Sequence, residues 1–301
     1  MIWRMGIYSM KIDLHIHSKN GSDGRWTLEE IFAEANRRHI DVISITDHDS
    51  VASQAEAHSL ANSYGIRYLY GIELNVTFAH PEFKNGGNVS LDCLGYDYES
   101  GYAPLVDKLD ALKMFRQRRA EQILENLNRE FHREGRREFT LRDLEAIQAT
   151  VDGTFGRPHI AGYLITQGIV SSRQEAFDKY LVKCDVPKMP LSLEEAAHLV
   201  HAAQGKLVLA HPNDPNGTSL VSLTRVRAEQ HRIIREVMLP HIDGVECWHA
   251  RHDADTIESY RAFAQKEGLI VTGGSDCHQD PVRMGTIDIP DFVVEQFTFR
   301  S

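Results

Sequence analysis

Cysteine is scarce in this chain of 301 residues. The four present, Cys93, Cys184, Cys247 and Cys277, stand far apart with no C-x-x-C pair. That spacing argues against a disulfide scaffold and a cysteine zinc site, and it fits a reducing cytoplasm. Long apolar runs are missing too. None approaches the ~20 residues of a membrane span, so no membrane partner is expected. The opening "MIWRMGIYSM" has no long apolar stretch and no small-residue cleavage site, so no signal peptide is expected. Residues 1–9 read as either an extra edge segment or an over-long gene start. Positive charge is short: 33 Lys and Arg stand against 43 Asp and Glu, a formal net charge of −10. A broad basic field for duplex nucleic acid is therefore not expected, whereas a local basic pocket remains open. There is no internal repeat and no low-complexity tract.

What is there in quantity is histidine, 16 in all, within an otherwise ordinary soluble composition. The length fits one large domain or two smaller ones. The first hundred residues alternate strand and helix. "KIDLHIH" reads as a strand, and "TLEEIFAEANRRH" as a helix whose Thr27 and Glu30 form a capping box. "DVISIT" is a buried strand, "SVASQAEAHSLANSYG" a helix closed by Gly65, "IRYLYGIEL" a third strand and "NVSLDCLGYDY" a fourth. From about Pro104 to Pro190 the texture is helical and charged, with no confident strand. Alternation then resumes: helix "SLEEAAHLVHAAQG", strands "KLVLAHP" and "HIDGVEC", helix "DADTIESYRAFAQKEG", strand "LIVTGGSDCH". Strands alternating with helices predict parallel pairing and an α/β fold, either a barrel or an open sheet. The domain boundaries expected are 10–103 with 191–301 for the α/β part and 104–190 for a helical insertion. "NDPNGTSL" reads as a mobile loop.

The polar residues fall on this map in a pattern. In "KIDLHIHSKNGSDG", Asp13, His15 and His17 alternate with Ile12, Leu14 and Ile16, so the polar three share one face of a strand. Two imidazoles two apart can grip one ion from the same side. Asp23 lies in the loop that follows. Asp47, His48 and Asp49 follow the second strand, Glu73 lies near the end of the third, and Asp92 lies in the fourth. His211 follows "KLVLA", and Asp276 and His278 follow "LIVTGG". Nearly every metal-competent side chain thus sits at a strand's C-terminal end, the rim where (β/α) barrels build active sites. Imidazoles with carboxylates and no thiolate suit Zn, Fe or Mn more than Ca or Mg. Nine candidate ligands exceed the needs of one ion, so two or three divalent ions are expected, with Glu73 as a bridging carboxylate. Closely spaced ions suit phosphate ester hydrolysis, because they acidify a bridging water, hold the phosphoryl oxygens and neutralise the leaving oxygen.

The ordered segments "DLHIHS", "SDG", "ITDHD", "GIEL", "LAHP" and "GGSDCH" resemble the PHP (polymerase and histidinol phosphatase) superfamily across roughly the whole chain. The resemblance implies a distorted (β/α)7 barrel with a trinuclear centre and an inserted helical lid domain. Carried over by position, one ion falls to His15, His17, Glu73 and Asp276. A second falls to Glu73, Asp92 and His211, and a third to Asp23, His48 and His278. "DCLGY" puts Asp92 where the family usually has histidine; this harder donor either favours Fe or Mn over Zn or leaves the second site weakly occupied, and His80 is the alternative ligand. "FRQRRAEQILENLN", "FGRPHIAGYLI" and "EAFDKYL" resemble the branch of nucleoside 3′,5′-bisphosphate phosphatases and 5′-3′ exonucleases of short RNA or DNA. Arg116 and Arg119, three apart on one helix face, with Arg157 and His159, are the expected second phosphate site; His159 reads equally as a helix cap.

The expected activity is metal-dependent hydrolysis of the 3′-phosphate of a nucleoside 3′,5′-bisphosphate. Metal-bridged hydroxide attacks, and Asp276, His211 and Glu73 act at the reacting centre. The expected partner is a small nucleotide phosphate or a short single-stranded oligonucleotide; the sequence leaves the oligomeric state open. The alternatives are a 5′-3′ exonuclease, a histidinol-phosphate-type phosphatase, a non-catalytic PHP scaffold module and, remotely, an amide hydrolase. His39, His58, His132, His198, His201, His231 and His241 read as surface positions. His249 and His252 lie nearer the rim, as substrate contacts or loop residues. Trp248 and Cys277 read as core, and Asp13, Asp47 and Asp49 as residues that orient ligands.

Overall fold

All five residues of β1, Ile12–Ile16, are buried. Its alternation therefore separates two interiors, one apolar and one polar, rather than core from solvent. The computed structural model describes residues 9–148, 157–187 and 189–300. Most of the opening segment whose status was left open lies outside them. So do Ala149, the end of the expected helix "EFTLRDLEAIQA", and Phe155 and Gly156 of "FGRPHIAGYLI".

On the apolar side, Ile16 packs with Leu28, Ile31, Phe32 and Ala35 of α1, Leu28–Arg37. Thr27 caps this helix as expected: Glu30 N–H donates to Thr27 Oγ1 at 3.3 Å, and Thr27 N–H to Glu30 Oε2 at 2.8 Å. Next come β2, Val42–Ile45, and α2, Gln54–Tyr64, which ends on left-handed Gly65. The expected third strand is two strands, β3 (Arg67–Tyr68) and β4 (Gly71–Phe78), lying in different sheets. β5 is Val89–Tyr96. The helical stretch holds α3 (Ala103–Arg133), α4 (Leu141–Gln148), α5 (Arg157–Thr166) and α6 (Arg173–Ala176), the last running into a π-helical turn, Phe177–Leu181. Then follow α7 (Leu193–Ala202), β6 (Lys206–Leu209), α8 (Arg227–Ile233), β7 (Gly244–His249), α9 (Ala254–Glu267) and β8 (Ile270–Gly274).

The strands form two sheets, β1-β2-β3 and β4-β5-β6-β7-β8. The fold is mixed α/β, and the sheets do not close into one barrel. Two single parallel bridges, Ile16 to Cys277 and His48 to Glu73, run between them. Pairing is not parallel throughout: β4 with β5 and β5 with β6 are antiparallel. The reason is the short link between β4 and β5, which holds only a single 3-10 turn, Lys84–Gly86. A parallel crossover needs a dozen or more residues, usually a helix, so β5 returns as a hairpin. It then opposes both its neighbours.

The chain divides into two compact units. One comprises the described residues up to Val106 together with those from Leu191 on, and contains both sheets. The other runs over Asp107–Pro190 and is helical, with no strand among the described residues. Its core joins Ile123, Leu127 and Phe131 of α3 to Phe139, Leu164 and Tyr180. Asp143 ties its surface, accepting from Arg137 at 3.0 Å and from the Tyr163 hydroxyl at 2.9 Å. Two expectations change. The "NDPNGTSL" loop is anchored, because Asp214 and Ser219 are buried and Ser219 Oγ–H donates to Asp214 O at 2.6 Å. His231 is not a plain surface residue; its ring lies against Phe263 and Tyr260.

The approach of β8 to β1 is closest at Gly274, where a Cβ would lie 2.2 Å from His15 Cβ and 2.3 Å from His15 N. Gly274→Ala is expected to lower the unfolding free energy by about 1–3 kcal/mol, the usual cost of overpacking. Urea denaturation of the two proteins measures this. An unchanged midpoint would contradict the close approach.

Candidate metal centre

The loop after β1 is shaped by one carboxylate. Asp47 Oδ1 accepts from Ser18 N–H at 2.7 Å and Ser22 Oγ–H at 2.9 Å, and Oδ2 from Ser18 Oγ–H at 2.8 Å. Gly21 is required there, since a Cβ would fall 2.0 Å from Asp47 Oδ2. The tight loop returns Asp23 toward His17, His48 and His278. Asp23 Oδ1 lies 3.1 Å from His278 Nε2 and 3.8 Å from both His17 Nδ1 and His48 Nε2. His211 and Asp276 hold left-handed backbone, φ 26° and 51°. Such conformations cost about 1–3 kcal/mol each and recur at functional sites.

Glu73 sits at the middle. Its Oε2 lies 3.3 Å from His15 Nε2, 3.2 Å from His17 Nε2 and 3.1 Å from His48 Nδ1, and its Oε1 lies 3.1 Å from His211 Nε2. Asp276 Oδ1 lies 3.3 Å from His17 Nε2 and 3.6 Å from His15 Nε2. Four groups bring ligand atoms within 4.8 Å of one another: His17, Asp23, His48 and His278; His15, His17 and Asp276; His15, Glu73 and His211; and His48, Glu73 and Asp92. Together they contain all nine residues singled out in the sequence. The grouping differs from that implied by the resemblance: Asp92 groups with His48 and Glu73, His211 with His15 and Glu73, Glu73 is absent from the group of His15, His17 and Asp276, and His17 also joins Asp23, His48 and His278. Asp92 Oδ2 and His211 Nε2 are 3.9 Å apart.

The cluster fits cations. His15 Nε2, His17 Nε2, Glu73 Oε2, Asp23 Oδ1 and His211 Nδ1 are buried without a hydrogen-bond partner. Buried polar atoms are rarely left so, and three of these five, His15 Nε2, His17 Nε2 and Glu73 Oε2, meet at ion-pair distances. The donor set of imidazole and carboxylate suits divalent metal ions.

Charge states follow from this crowding. Burial opposes the charged form of His17, but the facing carboxylates of Asp276 and Glu73 lift it to about 10. His211 is lifted to about 9, against burial, chiefly by Glu73. Burial would raise Glu73, yet the His48 and His15 charges hold it well below the ordinary range. Asp92 goes the other way, pushed up to about 8 by burial and by the Glu73 charge.

The remaining expected residues divide. In the helical unit, Arg119 is buried and pairs with Asp185 and with Val186 O; Arg157 Nη1 reaches the other oxygen of Asp185 at 2.7 Å. Two guanidinium groups thus converge on one carboxylate. Arg116 and His159 are half-buried, and His159 lies inside the first turn of α5 rather than capping it. His80 is buried beside Phe83, its Nδ1 accepting from Glu82 N–H, and it joins none of the four groups. His252 Nδ1–H donates to Cys247 O at 2.9 Å and closes its loop. Trp248 and Cys277 are core. Asp13 orients backbone rather than a ligand side chain, accepting from Ser275 N–H and Gly285 N–H at 2.8 and 2.7 Å. Asp49 Oδ1 accepts from Asn75 N–H at 3.1 Å.

Sequence reasoning missed Glu246. It is fully buried on β7; its Oε1 accepts from His15 Nδ1–H at 3.0 Å and its Oε2 from His211 N–H at 2.8 Å. One carboxylate therefore aims two ligands, leaving His15 Nε2 for the centre. The available signal was a lone acid inside the apolar strand "GVECWH".

A model of the PHP domain matches residues 13–186, more than half of the chain. The chain belongs to the PHP domain family. The PHP match includes His15, His17, Asp23, His48, Glu73 and Asp92; the geometry adds His211, Asp276 and His278. Among relatives, a 3′,5′-nucleoside bisphosphate phosphatase of Chromobacterium violaceum is 27% identical over 280 residues, spanning 89% of this chain and 87% of that protein. A 5′-3′ exoribonuclease of Haemophilus influenzae is 28% identical over 275 residues, 89% of this chain and 90% of that protein. A Bifidobacterium adolescentis crystal structure, described as a metal-dependent phosphoesterase, superposes with a TM-score of 0.69 at 26% identity. That alignment covers 96% of this chain and 95% of that one.

Two outcomes are expected. Glu246→Gln lowers metal affinity about 10–100-fold, read by competition with a chromogenic chelator. Because His17 and His211 titrate near 10 and 9 without metal, both carry protons at neutral pH that a cation must displace. Apparent metal affinity therefore rises from about pH 6 to about pH 8, with proton release seen by calorimetry in two buffers. A flat profile would contradict the assignment.

Proposed function

We propose that this PHP protein is a metal-dependent phosphoesterase releasing the 3′-phosphate of a nucleoside 3′,5′-bisphosphate. The observation that carries the reading is the cluster of nine imidazole and carboxylate groups, in which His15 Nε2, His17 Nε2, Glu73 Oε2 and Asp23 Oδ1 are buried and unbonded. Two or three divalent ions are assigned to it, drawn from Zn, Fe and Mn. His15, His17, Glu73 and Asp276 would hold the first, Glu73, Asp92 and His211 the second, and Asp23, His48 and His278 the third. When bound they supply Lewis-acid charge that offsets the negative charge developing on the phosphoryl oxygens.

The chain's own groups do the rest. Glu73 and His211 hold the floor of the site. Asp276 turns Oδ1 to the cluster and Oδ2 to His249 Nε2, 3.4 Å away. In the proposed reaction a water oxygen bonds to phosphorus and the ester P–O bond breaks. The departing alcohol oxygen takes a proton relayed through Asp276 or a nearby histidine.

The helical segment, 104–190, is assigned the second phosphate through Arg116, Arg119, Arg157 and His159. Supporting this, Arg119 and Arg157 already share one anion, the Asp185 carboxylate, and guanidinium forks suit phosphate equally. The distorted (β/α)7 barrel is retained as a reading of the two sheets and their two bridges. A cytoplasmic setting is likewise proposed, since all four cysteines are buried and free. No helix among the described residues is long and apolar enough to cross a membrane. The exoribonuclease relative favours a second reading, removal of nucleotides from the 5′ end of short RNA.

The test is phosphate release by Mn²⁺- or Fe²⁺-loaded protein from adenosine 3′,5′-bisphosphate beside adenosine 5′-monophosphate and a 5′-phosphorylated oligoribonucleotide. Release from the bisphosphate alone, abolished by chelator, is expected. Mononucleotide products from the RNA alone would favour the second reading. Arg157→Gln is expected to raise KM for the bisphosphate about 10–100-fold, the worth of a charged hydrogen bond. Hydrolysis of p-nitrophenyl phosphate, which has no second phosphate, should be unchanged.

A further inference from the structure

Beyond the nine cluster residues, one more group assembles at the same rim: Asp214, His249 and Asp276 bring ligand atoms within 4.8 Å. This corner already holds a cation from the chain itself. Arg251, in the turn after β7, pairs through Nη1 with Asp214 Oδ2, and its Nη2 lies 3.5 Å from Asp276 Oδ2.

Asp214 is fully buried, while the Arg251 side chain is 36% exposed. A buried carboxylate is tolerated when it is paired and hydrogen-bonded. Asp214 Oδ1 accepts Asn216 N–H at 2.9 Å, and its other oxygen takes the guanidinium. The turn is fixed as well. Arg251 N–H donates to His249 Nδ1 at 3.3 Å, which leaves the proton of His249 on Nε2, 3.4 Å from Asp276 Oδ2.

Asp276 is thus divided between two neighbours. Its Oδ1 faces His15, His17 and His278, and its Oδ2 faces His249 and Arg251. The guanidinium stands one carboxylate away from the cluster. Beside bound cations that position is repulsive, and Asp214 offsets the repulsion while no anion is present. The contact to Asp276 is long and exchangeable. Of five N–H donors on the fork, these two contacts use two, so the others can meet a tetrahedral anion.

We propose that Arg251 is a further catalytic residue that binds a non-bridging oxygen of the phosphoryl group undergoing hydrolysis, with Asp214 as its positioning residue. This rests on the phosphoesterase reading above. Arg251 and the cluster grip the phosphoryl group from two sides, and the guanidinium strengthens its hold as charge builds on the oxygens.

The experiment uses the full metal-loaded chain as wild type, Arg251→Gln, Arg251→Lys and Asp214→Asn. Metal content is measured first, then inorganic phosphate binding by calorimetry, then phosphate release from the bisphosphate. Expected are unchanged metal content, phosphate affinity weakened at least tenfold in R251Q, and kcat/KM lowered about 10–100-fold. R251K should recover part of both losses, since it restores charge without the fork. D214N should lower kcat/KM less than R251Q. Equal phosphate affinity in wild type and R251Q overturns the proposal, as does absence of phosphate binding by wild type. Loss of metal in R251Q also overturns it, because Arg251 would then be a support for Asp276. If wild type binds phosphate through Arg251 but releases none from any phosphoester, the hydrolase reading fails while the Arg251 contact stands.

Discussion

One buried carboxylate, that of Glu73, receives nitrogens from four imidazoles within 3.3 Å. Everything else at the rim answers to this crowding. The His17 ring lies 4.1 Å from that of His278 and 4.5 Å from that of His48. Imidazoles so close repel when charged, and neutral ones leave the carboxylates uncompensated in a dry setting. Cations between them satisfy both demands. They would accept the imidazole lone pairs, balance the carboxylates and replace the protons that otherwise hold the cluster together.

The fold meets this demand by bringing two sheets together at their ends. β1 and the residue after it supply His15 and His17, and the bridge from His48 to Glu73 sets a residue of the loop after β2 against a strand of the other sheet. The bridge from Ile16 to Cys277 does the same for Asp276 and His278. In each bridge one partner, His48 or Cys277, lies just beyond the end of a strand and the other, Glu73 or Ile16, lies within one. Left-handed backbone at His211 and Asp276 is the local cost of aiming those side chains inward.

Local sequence carried much of this. The period of two in "DLHIH" put His15 and His17 on one face, and Gly, Ser and Asp after them announced a loop tight enough to return Asp23. The capping box of α1 and the left-handed Gly65 were equally readable, because caps depend on neighbours three or four residues away. The direction of β5 was not. Its sequence reads the same whichever way it runs, and only the short link to β4 decides. Glu73 lies near the start of a strand rather than at the end of one because β3 and β4 belong to different sheets, a change that the continuous run "IRYLYGIEL" hides. Glu246 escaped for a different reason. Its partners, His15 and His211, are distant in sequence, and a single acid in an apolar strand carries no spacing to read. Arg119 was read as a phosphate ligand by type alone, and its burial against Asp185 and Val186 is a matter of packing that no residue spacing encodes.

Asp92 brings the sequence and the structure to one point. It stands directly across from Asn75 in the β4–β5 ladder, and Asn75 Nδ2–H donates to its Oδ1 at 2.7 Å. That bond holds one oxygen back and turns the other toward Glu73 and His211. Burial and the Glu73 charge push Asp92 up to about 8, so without metal it is a neutral acid at pH 7 and places no second negative charge beside Glu73. A cation on Glu73 would remove that penalty and let Asp92 ionise. A histidine at the same place would donate as a neutral ligand and add no charge. With Asp92 there, the filling of this corner would depend on the ion's charge as well as on its affinity for nitrogen.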